Sequence, residues 1–335
     1  MRIGYNPHKD QLIPEDAFTH QVVIPVHIPQ QDGYFQDSLK VLQRCLDSLI
    51  ANSHSATFIT VVNNGSDAIT SQYLTDLAQQ GNIHEVIHTA AIGKVNALLK
   101  GLVGHRHAWV TLSDSDVLFL PGWQQATEEV FTAFPQAGVV GIVPQYRMFL
   151  NHCSNVLFDL FGSNRLRFIP VQDPVSMEKF HQSIGWGPSN PTHGQFTLGL
   201  ESTNGCKAYV GSGHFVATYK RALFQSIQSF TEYKMGGNSE TYLDELAWRK
   251  NTWRLTTCAN YAYHMGNVYE SWMDEVKFNQ PQSIPSSISA EFIANASPFS
   301  LFIKQKVFKS VLKNRQLKLL FYRFKGLSKG QASHY

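Results

Sequence analysis

Ser113-Asp114-Ser115-Asp116 carries the most suggestive chemistry in the chain. In an extended segment, residues i and i+2 project to the same side. Asp114 and Asp116 therefore present two carboxylates to one point. Two such charges repel each other, and a divalent cation relieves the repulsion. A hard ion such as Mg²⁺ or Mn²⁺ takes carboxylate oxygens and shares its remaining positions with phosphate oxygens. The pair also suits a solvated acidic turn or the N-cap of a following helix, and a lone D-x-D recurs by chance. Its setting favours the cation, because it follows the strand-like run AWVTL (108–112) and precedes the apolar VLFLPGW.

The elements that must carry this pair read as alternating strands and helices. QVVIPV (21–26) is a short β-branched run, and DSLKVLQRCLDSLI (37–50) has apolar residues at 39, 42, 46, 49 and 50, a helical period. TFITVV (57–62) is a second strand that ends in the turn Asn63-Asn64-Gly65-Ser66. A helix over 68–80, a strand over 83–88, a helix over 94–102 and the strand 108–112 complete the series. Such alternation predicts a mainly parallel sheet covered by helices. In these sheets ligands bind beyond the carboxyl ends of the strands. The turns NNGSD and SDSD both leave strand ends there and are expected to meet. Residues 145–207 read as loop-rich, with Trp186, Pro188, Pro191 and His193. We expect an insertion over a binding site, whose rings stack on a ligand unless they serve as core, the default for aromatic residues.

Composition sets outer bounds. The 335 residues fit one large domain or two small ones, with the apolar and charged fractions of an ordinary globular chain. No fixed-period repeat or low-complexity tract stands out. Cys45, Cys153, Cys206 and Cys258 are widely spaced with no C-x-x-C pair, which argues against a zinc knuckle or a disulfide framework. The N-terminus lacks the apolar run of a secretory signal, and no stretch approaches the ~20 apolar residues of a membrane span. A cytoplasmic placement is expected on that basis, and the sequons at Asn64 and Asn295 are discounted. Charge is uneven. Nine Lys and Arg and no Asp or Glu lie between Ser297 and Tyr335, and subtracting nine from the formal +3 leaves the remainder at −6. In this tail Phe302, Val307, Val311 and Leu317 form an apolar stripe at helical spacing, with Lys304, Lys306, Lys309 and Lys313 nearby. A helix of this kind lies on an anionic membrane, here the inner face of the plasma membrane, or packs on its own domain with a solvated basic face. No recognised motif joins the cations into a nucleic-acid site, so no nucleic-acid partner is expected.

The runs VVIPV, VVNNGS, IGKVNALLKGL and VTLSDSDVLFLPGW, in this order and spacing, resemble the nucleotide-binding half of family 2 glycosyltransferases of the GT-A fold, over residues 20–135. The resemblance implies an α/β, Rossmann-like architecture: a mixed, mainly parallel sheet flanked by helices, with a C-terminal helical extension. Residues 1–135 would form the nucleotide-sugar half, 136–275 the acceptor-binding and catalytic half of the same domain, and 276–335 the basic extension. It places Pro25, Val26 and His27 near the nucleobase. Asn63 and Asn64 would read base or ribose, with Asn where many relatives carry Asp. Gly93 and Lys94 would approach nucleotide or phosphate, Lys94 as a cation, with Asn96 fixing the loop. Asp114, Ser115 and Asp116 would hold the donor and its Mn²⁺ or Mg²⁺, and His264 would close the metal site, since imidazole joins carboxylates readily around Mn²⁺. The plain alternatives are a solvated Lys94, a loop or core His27, a turn glycine at Gly93 needing φ > 0, and a His264 bonded within its own segment.

Further along, AYVGSGHFVATYKRALF (208–224) resembles the stretch in which a glycine-rich strand passes the sugar. Gly211, Ser212 and Gly213 permit close backbone approach, and His214 points at the donor or fills a packed strand. In 236–255 the family sets its base at the start of a helix. Asp244 is the expected base, with Glu240 and Glu245 as rivals. Relatives carry a Glu-Asp pair further upstream of the position of Arg249 than Asp244 sits. Glu245 also suits an i,i+4 pair with Arg249, and Asp244 a helix N-cap. The resemblance thus implies metal-dependent, inverting transfer from a nucleotide sugar, of the UDP-sugar type, to a hydroxyl of a glycan or glycolipid in surface polysaccharide assembly. One alternative is a nucleotidyltransferase, which wants a basic loop after the first strand, where VIPVHIPQQDG has no Lys or Arg. Another is a non-catalytic sugar-binding protein with a degenerate site.

Overall fold

A computed structural model describes residues 4–14, 17–186, 190–225, 228–236, 239–278 and 297–335. The strands β1 (His20–Val26), β2 (Thr57–Asn64), β3 (Glu85–Thr89) and β4 (Trp109–Ser113) alternate with the helices α1 (Ser38–Asn52), α2 (Ala68–Gln79) and α3 (Lys94–Leu102). This is the predicted series, with ends moved by a residue or two. Then follow β5 (Val117–Phe119), α4 (Trp123–Ala133), β6 (Ala137–Gly141), α5 (Ser154–Asp159), β7 (Leu166–Pro170), α6 (Pro174–Ser183) and α7 (Pro191–Gln195). The chain continues through β8 (Phe196–Glu201), β9 (Lys207–Val210), β10 (Val216–Lys220), α8 (Thr241–Arg249), β11 (Trp253–Thr257) and β12 (Ala262–His264).

The large sheet has the order β3-β2-β1-β4-β10-β6-β11-β9-β8-β7, and β12 pairs with β5 in a separate small sheet. The pairings β1–β2, β1–β4, β2–β3 and β6–β11 are parallel. β10 runs antiparallel between β4 and β6, and the β7–β8, β8–β9 and β9–β11 pairs are antiparallel. Followed along the sheet, these pairings point β7, β9 and β10 one way and the other strands the opposite way. The architecture is the expected mixed, mainly parallel α/β sheet flanked by helices.

Side chains of β1 alternate between two buried faces, as strand geometry requires. Val22, Ile24 and Val26 join Leu42, Leu46 and Leu49 of α1, while Val23 joins Leu98 and Leu102 of α3 and Leu246 of α8. Covering on both faces explains why β1, β2 and β4 read as continuous apolar runs.

Two expectations are corrected. Residues 145–207 are not an irregular insertion: they hold α5, α6, α7, β7 and β8 and extend the sheet toward its far edge. Within them Trp186 stands exposed against His181, Pro191 opens α7, and His193 Nε2 donates to the carbonyl of Tyr335 (3.1 Å). Pro188 lies outside the described residues. The tail is also not one helix. It runs as helical segments Pro298–Phe302, Ile303–Phe308 and Lys309–Lys313, breaks at Asn314, and resumes over Arg315–Phe324 and Lys329–His334. The break is enforced by the Asn314 side chain, which accepts from the amides of Gln316 and Leu317 and caps a new helix. Its inner face is Phe321, Tyr322 and Tyr335, packed on Phe149 and Phe168. Phe302, Val307 and Leu317 of the predicted stripe point outward instead, and Lys304 is buried on Asp159 (2.6 Å). The side chain of Val311 and residue Asn295 fall outside what is described. All four cysteines are free thiols.

Candidate active site

Two pairings build the carboxyl edge of the sheet into a site. β10 lies antiparallel to β4 with Val216 opposite Ser113, and the amide of Asp114 donates to the Phe215 carbonyl (2.7 Å). His214 is thereby brought beside Asp114. β12 pairs with β5 so that His264 faces Val117, and the Met265 amide donates to the Asp116 carbonyl (2.8 Å). Asp116 and His264, distant in sequence, become neighbours.

A cleft of about 410 Å³ opens at this edge. Pro25, His27, Asn64, Gly93, Lys94, Asp114, Ser115 and Asp116 all line it, with Tyr34, Phe35, Lys234 and Met235. Glu240, Asp244, Glu245 and His264 stand outside its lining, and so do two of the candidates for the donor, Val26 and Asn63. Val26 is wholly inside the core beside α1. Asn63 is buried with its amide donating to Ser71 Oγ (2.8 Å) and sharing a hydrogen bond with His88 Nδ1 (2.9 Å), while its Oδ1 accepts from the Ser66 amide. Asn63 thus shapes the turn, and its neighbour Asn64 lines the cleft while its Oδ1 accepts from the Ile92 amide (2.8 Å). His27 Nδ1 donates to the Asn64 carbonyl (2.8 Å).

Gly93 shows why glycine is needed at the start of α3. Its φ is 94° and ψ 153°, a region reserved for residues without a Cβ. A Cβ there would also stand 2.7 Å from the Tyr233 carbonyl. The segment 228–236 comes this close because the Lys94 amide donates to the Lys234 carbonyl (2.8 Å), and because Asn96 exchanges two hydrogen bonds of 2.8 Å with the backbone of Thr231. Asn96 also donates to the Ile92 carbonyl, so it fixes both loops.

Six charged groups of alternating sign run from the cleft into the protein. Lys94 Nζ lies 2.7 Å from Asp114 Oδ1 and 2.7 Å from Glu240 Oε1. Glu240 Oε2 is 3.5 Å from His214 Nε2. His214 Nδ1 is 3.2 Å from both oxygens of Asp244, and Asp244 Oδ1 is 2.7 Å from Arg254, which is 1% exposed. The charges hold one another. Burial opposes the charge of Lys94, but Asp114 and Glu240 outweigh it and raise its pKa. Burial likewise opposes His214, and hydrogen bonds to Asp244 and Glu240 carry it up to about 9. Glu240 is held at about 2, chiefly by His214, then by Lys94. For Asp244, burial is overcome by His214 and Arg254, and its pKa falls. Glu245 stands apart, paired with Arg249 one turn on and 3.7 Å from His152.

Asp116 and His264 offer part of the ligand set a divalent cation needs. Asp116 Oδ1 is buried and has no hydrogen-bond partner among the described residues, and a buried acceptor without a donor is costly. Burial pushes this carboxyl up to about 6, with His264 opposing and Asp114 adding to the rise. His264 Nε2 lies 3.3 Å from Asp116 Oδ2, while its Nδ1 is bonded to Ser183 Oγ (3.0 Å). A second hydrogen bond of this kind orients a ligating imidazole. Asp114 is instead turned onto Lys94, so among the described residues no three His, Cys, Asp or Glu side chains are gathered for an ion.

Several participants escaped the sequence reading. Arg254 gives one retrospective signal, a lone charge in the strand-like WRLTT. Tyr34, Phe35, Lys234 and Met235 come from loops, and no periodicity announced them.

Residues 24–184 match the family described as "Glycosyl transferase family 2". No curated protein matches the chain. Among solved structures, the chain is similar to S. aureus TarS 1–349, at 13% identity and a TM-score of 0.43, covering 74% of this chain and 60% of that one. The same protein in complex with UDP-GlcNAc matches at 11% identity and TM-score 0.43, over 94% and 69%. The mannosyltransferase PcManGT from Pyrobaculum calidifontis, in complex with GDP-Man and Mn2+, matches at 15% and 0.39, over 71% and 54%. The chain therefore spans less than two thirds of the first of these relatives.

Proposed function

Given that residues 24–184 match glycosyl transferase family 2, we propose that the chain moves a sugar from a nucleotide-sugar donor to a hydroxyl of a glycan or glycolipid. The observation that carries this reading is the meeting of Lys94, Asp114, Asp116 and, through Lys94, Glu240 at one cleft on the carboxyl edge of the sheet. Tyr34 and Phe35 offer ring faces to the base, and Asn64 lines the wall beside them. Asp116 and His264, with Asp114 alongside, would hold a divalent cation, which would supply positive charge against the leaving diphosphate.

The chain's own groups do the rest. Lys94 is the cation nearest the donor phosphates, and a diphosphate competes with Glu240 for its ammonium. Glu240 then loses a partner that holds its pKa down and becomes a better base. It accepts the proton of the acceptor hydroxyl as that oxygen attacks the anomeric carbon. His214, charged, fixes Glu240 from behind, and Asp244 neutralises Arg254. A single displacement of this type inverts the anomeric centre, and the product would enter a surface polysaccharide or glycolipid.

The test is a panel of UDP- and GDP-sugars with Mn²⁺, followed for donor hydrolysis and transfer, with binding by calorimetry. We expect turnover of at least one donor and loss of the metal-dependent part of donor binding in Asp116→Ala. Unchanged donor affinity in that variant would remove Asp116 from the site.

A further inference from the structure

We propose that the outward face of the C-terminal helices docks on the surface of an anionic lipid bilayer. The inference is separate from the transfer reaction and rests on a different part of the molecule.

The tail has a filled side and an empty side. Tyr322, Phe321 and Tyr335 occupy the filled side, as do two cations withdrawn from solvent, Lys304 on Asp159 and Lys325 on the carbonyls of Leu160 and Ser163. On the empty side Phe299 is 74% exposed, Leu320 57% and Phe324 61%. Single exposed apolar residues are ordinary, but a joined cluster marks an interaction surface. Phe324 belongs to such a cluster: it stacks on Phe161 of the body at 5.5 Å, Phe161 meets Phe308 at 5.9 Å and also stacks on Phe321 of the filled side, and Phe308 meets Phe158 at 5.4 Å. Phe158 and Phe161 are themselves partly exposed.

The charge selects the occupant. The tail carries nine cations and no carboxylate, and exposed Lys306, Lys313, Arg315, Arg323 and Lys329 flank the apolar side chains. A protein partner generally offers both signs, whereas acidic headgroups offer one sign everywhere and apolar depth beneath it. No helix among the described residues is long and apolar enough to cross a membrane, so the contact lies in the interfacial plane. A face of this kind would hold the enzyme where a lipid-linked acceptor is found.

Flotation of the full chain with phosphatidylcholine vesicles, with and without phosphatidylglycerol, tests the proposal. The chain should float only with the anionic vesicles and detach as salt rises. Leu320→Glu/Phe324→Glu, two exposed positions one turn apart, should lower the bound fraction roughly tenfold with an unchanged melting midpoint. Arg315→Gln/Arg323→Gln should weaken binding while leaving the apolar cluster intact. Equal flotation with neutral vesicles, or none with either kind, overturns the proposal. So does a concentration-dependent dimer that the Glu variants abolish without any vesicle binding, because a second copy then covers the face.

Discussion

Glu240 stands at the N-cap of α8 and Asp244 one turn on, and both touch His214, yet their other neighbours differ. Glu240 faces Lys94 at the cleft, while Asp244 faces Arg254 in the interior. Removing the carboxylate from a buried ion pair strands the other charge, at a cost of about 3 kcal/mol. Asp244→Asn, which leaves the buried Arg254 without its carboxylate, is therefore expected to lower the melting midpoint clearly, whereas Glu240→Gln should lower it less, since Lys94 keeps Asp114 and His214 keeps Asp244, and should lose at least ~100-fold in kcat with donor affinity kept or raised. Thermal denaturation with single-turnover kinetics distinguishes them, and the reverse pattern would return the base to Asp244. The sequence puts both aspartates at one strand exit, but not by the strand alternation expected: β4 ends at Ser113, Ser115 and Asp116 form a turn, and Asp114 turns onto Lys94 while Asp116 meets His264. The Lys94–Glu240 contact was not legible, because it depends on where α8 returns to the sheet, which no local pattern encodes. Motif spacing favours Asp244 as the base and says nothing of partners; the contact of Glu240 with Lys94 is what leads us to propose Glu240 instead.

At the scale of elements, function depends on how tightly loops are brought to strand ends. Gly93 holds a backbone conformation closed to other residues while Tyr233 passes over it. Gly93→Ala should cost about 1–3 kcal/mol in stability, and it should raise the donor KM by displacing Lys234 and Met235 from the cleft wall. Hydrogen exchange at 231–235 would report the displacement directly, and unaltered protection there would exclude this account. The first half of the fold was readable because β1, β2 and β4 are buried on both faces. The strands β7 and β8 fall in the stretch that reads as loop-rich: β7 leaves Arg167 and Pro170 exposed and ends on that proline, and β8 carries Gly199 in its middle. In the tail, periodicity gave helices but could not say which side the body would claim. Tyr322, absent from the predicted stripe, became the buried anchor.

At the scale of the molecule, the six alternating charges link α3, β4, α8, β10 and β11, so the electrostatics of the site are also those of the fold. His214 gains its proton's stability on folding. That contribution is complete below its unfolded pKa of about 6.5 and is lost as pH rises through about 9. The melting midpoint should fall across that interval, and His214→Gln should flatten the fall. On the acid side, Glu240, held at about 2, contributes stability above the ordinary carboxylate range that disappears as pH drops toward that value. A midpoint that does not change between neutral pH and pH 9 would mean His214 is not charged in the native state. The position of β10 has a further consequence. The strand that joins β4 to β6 is made of residues 216–220, although both neighbours are complete by Gly141. A chain growing on the ribosome therefore carries two bare apolar edges until β10 emerges to close them. Unpaired edges recruit strands from other chains, and pairings that wait for distant partners form slowly. Newly made copies are thus most exposed to mutual aggregation midway through translation, when holding chaperones would matter most.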